Sequence, residues 1–76
     1  MINKIANIIK STDKPFMDFG VLFKDNNIKY DFSLAGVAHY TIKDKGKEDI
    51  IIVNKKHIDG LLPDDFVIGD YAIGRF

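Results

Sequence analysis

The sequence predicts an α+β fold: an N-terminal helix packed on a small, mostly antiparallel five-stranded meander or half-open barrel. Three observations lead there. Apolar residues recur every three or four positions in the first ten residues, and every second position from Phe16 onward. Turn formers such as Asp25-Asn26-Asn27 and Ala35-Gly36 separate the strand-like runs by short connections, which favours antiparallel pairing. At 76 residues the chain holds one domain, spanning 1–76, with no room for a second core.

The first element follows from Ile2, Ile5, Ile8 and Ile9, which share one helical face with Ala6 while Asn3, Lys4, Asn7 and Lys10 lie elsewhere. Such a short helix is marginal in water and isoleucine is a middling helix former, so it must dock on something. Ser11-Thr12-Asp13-Lys14-Pro15 ends it, because the proline ring disfavours helical geometry at Lys14. Met17, Phe19, Val21 and Phe23 then alternate with Asp18, Gly20 and Lys24, Leu22 excepted, which predicts a first strand. Ile28, Tyr30, Phe32 and Leu34 alternate with Lys29, Asp31 and Ser33 as a second, joined to the first in a hairpin at Asp25-Asn26-Asn27. After a bend at Ala35-Gly36, residues 37–43 alternate as a third strand.

The charged stretch Asp44-Lys45-Gly46-Lys47-Glu48-Asp49 reads as an exposed hairpin loop, and Ile50-Ile51-Ile52-Val53 as a fourth strand. Because that run is apolar at every position, it predicts burial on both faces, or one face on the core and the other on a partner. Residues 54–65 mix Gly60 and Pro63 with Ile58, Leu61 and Leu62, enough for a helical turn. Strand-like residues resume from Phe66 to Phe76 as a last strand that Gly69 and Gly74 weaken or bulge.

Composition narrows the function classes. Eleven basic and eleven acidic residues cancel, so the strongly basic balance of a nucleic-acid binder is missing. Without cysteine there is no disulfide framework and no thiolate metal site. The longest continuous apolar run, Ile50–Val53, falls far short of the roughly 18 residues that span a bilayer, and the N-terminus lacks the layout of a secretory signal. The expectation is a cytoplasmic protein with no membrane partner.

Candidate chemistry is sparse. A metal would have to bring His39 together with His57 and Asp59, which lack ligand spacing, so neither metal nor cofactor is expected. Asp18, Asp31, Asp59, Asp64, Asp65 and Asp70 mostly flank turns or face outward, and a small domain offers little depth for shifting carboxyl pKa values. No nucleophile elbow or phosphate-binding glycine loop is present, so no enzymatic activity is expected.

The lysines are unevenly placed. Lys43, Lys45, Lys47, Lys55 and Lys56 make a mildly basic middle, although Asp44, Glu48 and Asp49 sit among them, while Asp59, Asp64, Asp65 and Asp70 face Arg75 alone in the acidic end. With Tyr30 or Tyr40 for stacking, the basic segment is a candidate nucleic-acid contact. Nine aromatics and many Ile, Leu and Val residues are also more than so small a domain fully buries. Leu61, Leu62, Tyr71, Ile73 and Phe76 are the candidate partner-binding residues.

A helix followed by five short strands is the element order of Sm-like and Hfq-like small barrels. Residues 21–29 (VLFKDNNIK) and 54–58 (NKKHI) are loosely similar to their first hairpin and their Lys-His strand. The resemblance covers about half the chain, leaves the charged loop 44–49 and the tail 63–76 without counterparts, and implies a fold analogy only.

The functional expectation is a non-enzymatic protein–protein interaction domain, an inhibitor, adaptor or accessory subunit of a larger assembly. So small a reading frame also fits a phage or mobile-element origin. The alternatives are a small barrel-like nucleic-acid binder using Lys43–Lys56 and a ligand-sequestering homo-oligomer.

Overall fold

The computed structural model describes residues 1–57 and 66–76. Helix α1 covers Ile2–Lys10 and helix α2 covers Phe19–Asp25, entered through a 3-10 turn at Phe16–Asp18. The strands are β1 (Asp31–Ser33), β2 (His39–Ile42), β3 (Ile50–Asn54), β4 (Phe66–Ile68) and β5 (Tyr71–Arg75), with a second 3-10 turn at Lys55–His57. They form one antiparallel sheet in the order β1-β2-β3-β5-β4, not closed into a barrel. The α+β class and the N-terminal helix therefore hold. The topology is a meander only as far as β3, after which the chain passes to the far edge and returns between β3 and β4.

Two expected strands come out differently. Residues 16–24 are helical, and the predicted hairpin at Asp25-Asn26-Asn27 is a helix end. The alternation of Met17, Phe19, Val21 and Phe23 competes with a second reading, in which Phe16, Phe19, Gly20 and Phe23 fall on one helical face. The latter face is the one turned inward, while Met17 and Val21 are exposed. Leu22, the residue that broke the alternation, packs against the core. Phe and Val are poor helix formers, so burial of three phenylalanines overrides local propensity. Asn27 has φ 59° and terminates α2 in a Schellman motif: Ile28 N–H donates to Phe23 O at 2.8 Å and Asn27 N–H to Lys24 O at 3.0 Å. Ile28 and Phe23 both enter the core, the apolar contact that commonly accompanies this motif.

The last predicted strand is a hairpin. Ile68 pairs with Tyr71, and Gly69, at φ 58°, supplies the positive dihedral that opens the two-residue turn. Residues 21–29 thus form a helix and its exit, and residues 55–57 a 3-10 turn, so these parts of the segments that resembled small-barrel strands are not strands.

Both helices cover one face of the sheet. From α1, Ile5, Ala6 and Ile9 are buried with Ile42, Ile50, Ile52 and Ile73. From α2, Phe19 and Phe23 meet Tyr40, whose ring lies 4.8 to 6.2 Å from those of Phe16, Phe19, Phe23, Tyr30 and Phe32. Phe16 and Phe19 also hold Tyr71, at 5.5 and 5.1 Å. The run Ile50–Val53 is divided as its composition suggested: Ile50 and Ile52 join the main core, while Val53 and Ala72 form a smaller cluster with Val37 and Ile51.

The charged loop is anchored to the end of β5. Arg75 Nη2 lies 2.9 Å from Asp44 Oδ2, its Nη1 donates to Glu48 O at 3.1 Å, and Phe76 N–H donates to Asp49 O at 2.9 Å. Asp44 Oδ2 is buried and receives no aligned hydrogen bond, so the Arg75 charge is its compensation. No described helix is long and apolar enough to cross a membrane.

A candidate docking groove beside the second helix

One concavity among the described residues starts from the way α2 ends. Its Schellman turn sends the chain back along the helix, so that Tyr30 returns over Gly20. A Cβ on Gly20 would stand 2.7 Å from Tyr30 Cζ and closer still to the hydroxyl, which shows how tightly the phenol is laid on the helix. On its other sides Tyr30 meets Phe23 at 5.7 Å and Tyr40 at 5.6 Å. Met17, Gly20, Val21 and Lys24 share one face at spacings of three and four. Met17 is 60% exposed and Val21 49%, so the phenol lies beside an apolar strip open to solvent.

Beyond Tyr30 a groove of about 970 Å³, open to solvent, crosses the start of β1. Lys24 and Asn27 line it from α2, Lys29 and Asp31 from the approach to β1, and Thr41 and Lys43 from β2, above a floor of buried Ile28. Three exposed lysines against one aspartate give it a local excess of two positive charges. Among the described residues Lys24 and Lys29 form no ion pair, and Lys43 has only a loose exposed one with Asp49 at 3.8 Å.

Of the residues singled out from sequence for nucleic acid, the groove brings together Tyr30 and Lys43. Tyr40 is a correction: it is 2% exposed, and its hydroxyl donates to Phe16 O at 2.7 Å, so it offers no stacking face. Burial pushes that hydroxyl's pKa above its ordinary value of 10.0. Lys45 and Lys47 sit in the β2–β3 loop, whereas Lys55 and Lys56 follow the opposite end of β3. The five residues of β3 between them make a separation of roughly 17 Å, so the five lysines do not form one patch.

Of the expected partner-binding residues, Ile73 is a correction, being fully buried in the core. Tyr71 is half-buried against Phe16 and Phe19. Phe76 is 68% exposed, as a partner contact requires, and Leu61 and Leu62 lie outside the described residues. Sequence reading missed Met17, Val21, Lys24 and Lys29, because a strand in place of α2 hid the helical spacing that groups the first three. His39 turns to its own chain, with Nδ1 2.8 Å from Val37 O, and Asp59 is outside the described residues.

Searches of protein-family models, curated proteins and solved structures return no match to this chain.

Proposed function

We propose that the protein is a non-enzymatic binding module that docks onto a larger protein through the side formed by α2 and the start of β1. The observation that supports this reading is the pairing of an exposed apolar strip, Met17 and Val21, with the groove that opens beyond Tyr30. The backbone that presents them, the 3-10 turn and α2, is already packed on the core and does not have to be ordered on association, which favours these side chains as anchors. Charged residues bordering such a strip set orientation and partner choice.

The test is capture from the native cell with the wild-type chain and with a Met17→Asp/Val21→Asp variant. The variant keeps its circular dichroism spectrum because both positions face solvent. A stoichiometric partner retained by the wild type and lost by the variant supports the reading; no such partner, or equal retention, overturns it. Fractionation and native mass measurement address the attached expectations of a cytoplasmic location and of self-association.

The nucleic-acid alternative draws on the meeting of Tyr30 and Lys43 in the groove. It requires salt-sensitive retention of RNA or DNA that Lys43→Glu weakens.

A further inference from the structure

Resting on that docking reading, we infer that the groove across the start of β1 receives an acidic segment of the partner protein, with carboxylates seated between Lys24, Lys29 and Lys43. The groove gathers lysines from three separate pieces of chain, the end of α2, the α2–β1 connection and the end of β2. Such convergence gives a localised positive field on a molecule of zero net charge. Asp31, the acid among them, leaves the field positive.

An acidic peptide fits these walls better than a nucleic-acid strand. A strand without sequence preference needs aromatic faces on which its bases stack. Tyr30 is the aromatic residue of the groove; it packs against Phe23 and Tyr40, and its hydroxyl end lies on Gly20. Carboxylates need only the ammonium groups and the polar Thr41 and Asn27 side chains beside them. The position also suits a polypeptide. β1 has a neighbour on one side only, so its outer backbone groups face away from the sheet, where an extended segment could run past them. Met17 and Val21, reached by way of Tyr30, would take the apolar residues of the same partner.

The experiment is a titration of the full chain with a blocked hexaglutamate peptide, followed residue by residue in amide NMR spectra at low salt, with hexalysine and a twelve-nucleotide thymidine strand as controls. Expected are shifts centred on Lys24, Lys29, Tyr30 and Thr41. The affinity should fall at least about tenfold in a Lys24→Glu/Lys29→Glu/Lys43→Glu variant, and by a similar factor on raising the salt severalfold. Shifts centred instead on Lys55 and Lys56, an affinity unchanged in the triple variant, tighter binding of the thymidine strand, or no shifts at all would overturn the inference. Failure here with a partner still captured through Met17 and Val21 removes only the acidic segment. Absence of a captured partner with the wild-type chain, or equal capture by the Met17→Asp/Val21→Asp variant, removes the docking reading itself.

Discussion

Gly20 offers the sharpest test of how α2 and β1 are assembled. In an exposed helix, replacing glycine by alanine stabilises by about 0.8 to 1 kcal/mol, because alanine gives up less backbone freedom on folding. Here the added methyl would lie 2.7 Å from Tyr30 Cζ, whereas carbon atoms in contact rest at about 3.5 to 4.0 Å, so the phenol must withdraw by about 1 Å. Its retreat is opposed by Phe23 and Tyr40, against which the ring is packed at 5.7 and 5.6 Å. Overpacking of this kind costs about 1 to 3 kcal/mol, so Gly20→Ala should come out destabilised by up to about 2 kcal/mol despite the propensity gain. Tyr30→Ala removes the obstacle, and Gly20→Ala in that background should stabilise by nearly the full 0.8 to 1 kcal/mol. Urea unfolding of the wild type, both single variants and the double variant gives a coupling energy of about 1 to 3 kcal/mol if the contact is as drawn. Gly20→Ala that stabilises equally in both backgrounds would show that Tyr30 does not rest on the helix, and with it the shape of the groove would be wrong.

Further predictions follow from the packing. Tyr40→Phe should cost about 0.5 to 1.5 kcal/mol, since Phe16 O loses a hydrogen bond but keeps the one from Phe19 N–H. Because burial raises the Tyr40 pKa above 10.0, the folded chain holds a proton that the unfolded chain releases. That stability is complete below about pH 10 and is lost as pH rises through the higher folded value, a decline that Tyr40→Phe should lessen in alkaline thermal scans. Arg75→Ala should destabilise by about 1 to 3 kcal/mol, as Asp44 is left mostly buried without its counter-charge, and Asp44→Asn in the same chain should restore part of the loss. Asn27→Val should cost about 1 to 2 kcal/mol because a β-branched residue resists φ 59°, while Asn27→Gly should be neutral or slightly stabilising in the same unfolding assay. Ile52→Ala, at the fully buried centre of the sheet, should cost about 2 to 5 kcal/mol and, in a chain whose whole stability is of order 4 to 11 kcal/mol, bring it near unfolding at 37 °C.

Much of this was legible in the residues alone. Helix α1 follows from isoleucine spacing, β2 from its alternation, β3 from four β-branched residues in a row, and the bends at Asn27 and Gly36 from residues that tolerate positive φ. What sequence could not decide is the state of residues 16–24, since their apolar positions satisfy a period of two and a helical period at once. Only the tertiary structure settles it: the aromatic pocket around Tyr40 takes Phe16, Phe19 and Phe23 from one helical face, and that burial outweighs their weak helix propensity. The candidate site depends on the same decision. As a strand, residues 16–24 would set Lys24 on the face opposite Met17 and Val21; as a helix the three share one side, and the turn at Asn27 folds Tyr30 and Lys29 back beside them. Sequence fixes which groups carry charge or apolar area, but their convergence is set by long-range packing, which no local pattern encodes.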